Sequence, residues 1–102
     1  MSEGENKLEA ELIERGLTAK RVTPKMLDAE IAGCEFHVFP GSCLTVCALT
    51  LRNGFTVTGE SACASPENFD AEIGQSISRR NARERIWPLL GFRLRDELTG
   101  GR

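Results

Sequence analysis

The chain has 102 residues, 40% of them hydrophobic and 27% charged, with a formal net charge of -2. That length makes one domain rather than two, and that composition excludes a disordered chain. The near-balanced charge argues against long-range steering to nucleic acid, and no apolar run approaches the roughly 20 residues of a membrane span.

The chain opens on Met1-Ser2-Glu3-Gly4-Glu5-Asn6, which is acidic and polar where a secretory signal would be basic and then apolar. It is therefore expected to stay in the cytosol. Eight of the 15 acids lie in the first 40 residues, and six of the 13 basic residues, all arginine, lie between Arg79 and Arg95. Residues 1–19 read as an acidic, partly helical extension ahead of a single α+β domain at 20–102. Leu8, Leu12 and Ile13 predict a helix over Asn6 to Arg15 that stops at Gly16. Thr23-Pro24 starts a second helix, with the threonine as cap and the proline where its missing N–H costs nothing. Met26, Leu27 and Ile31 give that helix its apolar side, and Gly33 ends it.

Cys34 to Phe39 alternates as a strand, with Cys34, Phe36 and Val38 on one face. Pro40-Gly41-Ser42 is a turn, and Leu44 to Leu51 is a second strand. Asn53-Gly54 predicts a two-residue type I′ hairpin, returning through Phe55 to Ser61. That turn would set Arg52 opposite Phe55, Thr50 opposite Val57 and Ala48 opposite Gly59. One face then carries Leu44, Val46, Ala48, Phe55 and Val57 and is the expected core. The other carries Thr45, Cys47, Leu49, Leu51, Thr56, Thr58 and Glu60, a mixture rich enough in Leu and Cys to need cover from a helix or a second subunit.

Ser65-Pro66 opens the longest predicted helix, Pro66 to about Trp87, with Pro88 kinking or ending it. Leu89, Leu90, Phe92, Leu94 and Leu98 form an apolar tail beyond. The fold class is therefore α+β: N-terminal helices, a three-stranded antiparallel meander, and a long C-terminal helix packed on the sheet.

Phe69, Ile73 and Ile77 make an apolar stripe along the long helix, and Gly74, Ser78 and Ala82 make a ridge of small residues. A glycine inside a helix costs about 1 kcal/mol against alanine, and close approach by a neighbour is the usual compensation. The neighbour can be the sheet, another helix, a ligand or a partner subunit. Arg79, Arg80, Arg83 and Arg85, with Asn81 among them, form either a solvated basic face paired with Glu72 and Glu84 or an anion site, because guanidinium forks match phosphate oxygens and stack on rings. Asn68 and Phe69, just inside the predicted helix start, are a second candidate contact, since unpaired N–H groups there favour an anion.

His37 is the only histidine, and Cys34, Cys43, Cys47 and Cys63 have no C-x-x-C spacing, so no zinc site is expected. No nucleophile–base pair, acidic dyad or phosphate-binding glycine motif is evident, so neither enzyme activity nor a cofactor is expected.

The run from Asn53 to Ser61, then Glu67-Asn68-Phe69-Asp70, Ile73-Gly74 and Asn81 to Trp87, preceded by Arg21-Val22-Thr23-Pro24 and Thr45-Val46-Cys47, resembles a family of small tailed-phage proteins. The resemblance covers about Lys20 to Leu98, and the order and spacing of its short motifs carry it. That family includes the anti-defence proteins that block Thoeris immunity as sponges. They bind a cyclic ADP-ribose isomer made by a host TIR enzyme without cleaving it, form dimers that can assemble into hexamers, and in some cases hold cyclic oligonucleotides. The resemblance implies a similar role here: a homo-oligomer binding a cyclic nucleotide signal. Asn68, Phe69, Arg79, Arg80, Asn81, Arg83 and Arg85 are the candidate ligand residues, and Gly74, Ser78 and Ala82 the candidate subunit interface. The rival is a non-enzymatic adaptor that binds a host protein through its mixed sheet face.

Overall fold

A computed structural model of the protein describes residues 3–16 and 20–100. It is α+β. Helices α1 (Glu3–Glu14) and α2 (Pro24–Glu30) precede strands β1 (Ile31–Val38), β2 (Leu44–Leu51) and β3 (Thr56–Ala62). Helices α3 (Ala71–Glu84) and α4 (Ile86–Leu98) follow. The chain groups into two compact units, residues 31–86 and residues 1–30 with 87–102.

In the first unit the strands form an antiparallel meander in the order β1-β2-β3. Its hairpin differs from the expected one. Leu49 faces Val57, Ala48 faces Thr58 and Cys47 faces Gly59, one residue out from the type I′ register. The Gly54 N–H donates to Leu51 O at 2.9 Å and the Leu51 N–H donates to Phe55 O at 2.8 Å, which makes a three-residue loop. Gly54 alone of the loop residues has positive φ, +90°. This is the type I turn followed by a left-handed glycine, and Asn53 does not take the positive φ that type I′ requires. Asn53 instead accepts the Phe55 N–H through Oδ1 at 3.0 Å. Replacing Asn53 with alanine is expected to cost about 1 kcal/mol, read from urea unfolding.

A slip of one residue exchanges the faces of a strand. The buried row of β2 is Thr45, Cys47, Leu49 and Leu51, joined by Val57 and Gly59 from β3. The expected core face was therefore the wrong one: Leu44, Val46 and Ala48 are half-buried and Phe55 is 55% exposed. The mixed face is the core because α3 lies across β2 and β3 on that side.

The small-residue ridge explains the fit. Gly74 is buried, and Ser78 and Ala82 are fully so. A Cβ on Gly59 would lie 2.1 Å from Ala82 N and 2.3 Å from Ser78 O, so helix backbone sits directly on strand backbone there. A Cβ on Gly74 would lie 2.7 Å from Thr45 Oγ1. The ridge expected at a subunit interface thus faces the chain's own sheet, and its contact surface is spent there. Close approach also leaves the Thr45 hydroxyl buried with no hydrogen-bond partner. Thr45→Val is therefore expected to raise stability by about 1 kcal/mol, measured as a higher urea midpoint at unchanged slope.

The long helix is interrupted twice. Pro66–Asn68 is a single 3₁₀ turn, Phe69 is extended (φ -67°, ψ 127°), and Asp70 caps α3 by accepting the Ile73 N–H at 3.1 Å. The cap is thus Asp70, not Ser65, because α3 starts at Ala71 and Ser65 lies before the separate 3₁₀ turn, where its side chain makes no cap bond. At the far end Arg85 forms the turn between α3 and α4. Pro88 does not stop the chain's helical course: it falls in the first turn of α4, where a proline removes no intrahelical bond. The boundary between α2 and β1 also shifts, since α2 ends at Glu30 rather than Gly33 and β1 starts at Ile31.

The other unit holds α1, α2 and the body of α4. Gly16, at φ +73°, closes α1, and Thr23 Oγ1 accepts the Met26 N–H at 3.1 Å to cap α2. Arg21 reaches Glu9 at 2.7 Å, and Arg93 reaches Glu30 at 2.6 Å. No helix among the described residues is long and apolar enough to cross a membrane.

Candidate functional site

A cleft of about 110 Å³ opens where the end of β3 meets the approach to α3. Asn68, Phe69 and Asp70 form one wall and Ile73 and Ile77 another. Cys43 and Cys63, just outside β2 and β3, close the third side. Phe69 and Ile77 are half-buried, Asn68 is exposed and Ile73 is 57% exposed, so the walls are apolar at Phe69, Ile73 and Ile77, polar at Asn68 and Asp70, and reachable from solvent. Sites for whole small molecules run to roughly 300–1,000 Å³. At about 110 Å³ this cleft has room for one ring or one phosphate, and a larger ligand would extend beyond it.

Of the residues predicted to contact a ligand, Asn68 and Phe69 line this cleft and the arginines do not. With about 3.6 residues per turn, the basic segment of α3 distributes its side chains around the helix instead of gathering them. Asn81 and Arg85 share the side facing the free edge of β3. Asn81 Nδ2 donates to Glu60 O at 2.9 Å, and Arg85 lies 3.6 Å from the Glu60 carboxylate. Arg79 and Arg83 share another side. Arg83 is only 7% exposed and is engaged within the protein, while Arg79 is exposed. Arg80 is exposed and continues the Ile73–Ile77 row one turn beyond the cleft. Of the four arginines, Arg80 is the one that follows the row lining the cleft.

The helix start does not supply the anion site expected of it. Asn68 and Phe69 precede α3 instead of lying inside it, and the Asp70 carboxylate already occupies the N-terminus. A carboxylate there repels a phosphate, so a negative group would be drawn toward Arg80 and not toward the cap. Glu67 lies close by. The hydroxyl of Ser65, first, and then a backbone N–H hold its carboxyl below the ordinary value.

Cys47 marks the side of α3 on which Arg79 lies. Burial first, then the hydrogen bond with Cys34, pushes its thiol up to about 12, and the positive charge of Arg79 opposes the rise. A thiol raised when folded stays protonated while the unfolded chain ionises, so its contribution is complete below the ordinary value of 9.0 and is lost as pH rises through 12. Thermal stability is expected to decline across that window, and Cys47→Ala to flatten the decline in a melting series.

Ile73, Ile77, Cys43 and Cys63 were not singled out as site residues from the sequence. The alternation of β2 and β3, read in the observed register, would have brought the two cysteines together. Among the described residues, no three of His, Cys, Asp and Glu gather as a metal-binding group.

The model of the phage protein (N4 Gp49/phage Sf6 gene 66) family matches residues 22–98. No curated protein and no solved structure matches the chain.

Proposed function

The chain belongs to this phage protein family, and from that premise we propose that it is a sponge: it binds a cyclic nucleotide signal, such as a cyclic ADP-ribose isomer or a cyclic oligonucleotide, and withholds it without cleaving it. The carrying observation is the cleft at Asn68 and Phe69 with Arg80 one turn along the same row. Phe69, Ile73 and Ile77 offer a shelf for an adenine ring, Asn68 offers an amide to its edge, and Arg80 offers a fork to a phosphate. Sequestration needs affinity rather than a reacting group, which suits a cleft that pairs an apolar shelf with an amide. The cleft's volume is below that of a whole cyclic nucleotide, so a second copy of the chain completes the enclosure.

Isothermal titration of the protein with cyclic ADP-ribose isomers and cyclic di- and trinucleotides tests this. At least one ligand is expected to bind. Phe69→Ala and Arg80→Ala should each weaken it by about tenfold or more, the scale of one lost stacking or charge-assisted contact. Arg85→Ala should change it little, because Arg85 lies at the β3 edge with Glu60. Silence from every ligand with folded protein would remove the reading.

A second reading rests on a different observation. Helix α3 covers β2 and β3, and the β1 side chains on the same face stay open, with Phe36 37% and Val38 40% exposed. Phe39 beyond them is 46% exposed, but it meets the ring of His37 edge-on at 4.6 Å and so belongs with the opposite face. An adaptor would use the apolar shelf of Phe36 and Val38 for a host protein. Phe36→Ser should then abolish partner capture while leaving nucleotide titrations unchanged.

A further inference from the structure

The four cysteines stand as two cross-strand pairs, and the pairs are not equivalent. Cys34 and Cys47 have sulfurs 3.7 Å apart, but they sit on a diagonal, since Cys34 faces Leu49 and Cys47 faces Phe36. Diagonal positions have Cα atoms about 7–8 Å apart, at or beyond the limit a disulfide spans without backbone movement. Cys47 is also 0% exposed, so no reagent reaches its sulfur. Cys43 and Cys63 are arranged differently. The last ladder pair is Leu44 with Ala62, so these two face each other one step beyond it. Directly opposed positions have Cα atoms about 4.5–5.5 Å apart, within the disulfide range. Both are half-buried and both line the solvent-open cleft. Lying past the last ladder pair, their backbone is free of strand pairing and can adjust.

We propose that Cys43 and Cys63 are a reversible modification site that closes into a disulfide by exchange with a small-molecule disulfide such as glutathione disulfide. One cysteine loses its proton to solvent, and its thiolate attacks a sulfur of the reagent and expels one glutathione thiolate. The second thiolate then attacks the resulting mixed disulfide and expels the other. Two cysteine thiols are oxidised, the reagent's one S–S bond is reduced to two thiols, and the two protons pass to the leaving groups. Closure ties the ends of β2 and β3 at the wall of the cleft, and it does so whatever the cleft binds.

The test uses the full chain with glutathione disulfide, followed by unfolding, alkylation of remaining thiols, proteolysis and mass spectrometry. A peptide linking Cys43 to Cys63 is expected, with Cys34 and Cys47 unlinked to each other. The melting temperature should rise by something on the order of 5–10 °C, reversed by dithiothreitol. Cys34→Ser should keep the link, and Cys63→Ser should leave Cys43 carrying a glutathione. A Cys34–Cys47 link, mixed disulfides that never resolve internally, or no reaction at Cys43 and Cys63 would each overturn the proposal. These readouts need no ligand, so they stand or fall apart from the sponge reading.

Discussion

Replacing Gly59 with alanine is expected to destabilise the sheet unit by about 3 kcal/mol or more, at the upper end of overpacking effects. The added carbon would meet Ala82 N at 2.1 Å, Ser78 O at 2.3 Å and the Asn81 carbonyl carbon at 2.7 Å. All three are backbone, so no side-chain rotation relieves the clash, and α3 must lift off β3. Lifting it uncovers Cys47, Leu49 and Val57, which are at most 8% exposed, and breaks the Asn81 contact to Glu60 O. Gly74→Ala makes an instructive contrast. Its new carbon would meet the Thr45 side chain at 2.7 Å, and the roughly 1 kcal/mol gained in helix propensity offsets part of the crowding. Urea midpoints should therefore fall far for Gly59→Ala and shift little for Gly74→Ala. Equal midpoints for the two would mean that α3 does not rest on Gly59.

The second large effect is expected from Arg93→Leu. Glu30 is 3% exposed, and Arg93 Nη2 meets its Oε1 at 2.6 Å. The Glu30 carboxylate, through that hydrogen bond first, holds the Arg93 guanidinium above its ordinary value. Removing the cation leaves a buried carboxylate without its main counter-charge, for which the cost is about 3 kcal/mol. Arg93 is half exposed and Glu30 has a further interaction, which keep the figure at the low end. Acid discriminates this cause from lost packing. Protonation neutralises the stranded Glu30, so the deficit relative to wild type should shrink as pH is lowered through the carboxylate range. A deficit constant with pH would point to packing alone.

Local punctuation in the sequence was legible because single residues determine it. Thr23-Pro24 starts α2, Gly16 closes α1, and Gly54 takes positive φ in the β2–β3 turn, each for a reason internal to a few residues. The hairpin register was not legible in that way. Asn53-Gly54 suits two turns that differ by one residue, and only the surface offered by α3 decides between them. The Gly74, Ser78 and Ala82 ridge was recognisable as a close-approach surface, yet its partner, Gly59 on β3, belongs to a different element and became apparent only with the register. The Asp70 cap was obscured by the stronger Ser65-Pro66 signal a turn earlier.

The candidate site was half legible for the same reason. Asn68 and Phe69 are local to one turn and do line the cleft. The arginines were grouped by their closeness in sequence, but helical periodicity sends Arg79 and Arg83, Arg80, and Arg85 to three sides of α3. Arg80 alone follows the Ile73–Ile77 row. Cys43 and Cys63, far apart in sequence, meet only through strand pairing.

The sponge reading requires that a cyclic nucleotide be held and returned unchanged. The direct measurement equilibrates the protein with the tightest-binding cyclic nucleotide, separates bound from free by filtration, releases the bound fraction by heat and identifies it by chromatography. Recovery of the intact cyclic molecule from the protein fraction, reduced in the Phe69→Ala variant, is the predicted result. A linear or hydrolysed product, or no nucleotide in the protein fraction, would contradict it.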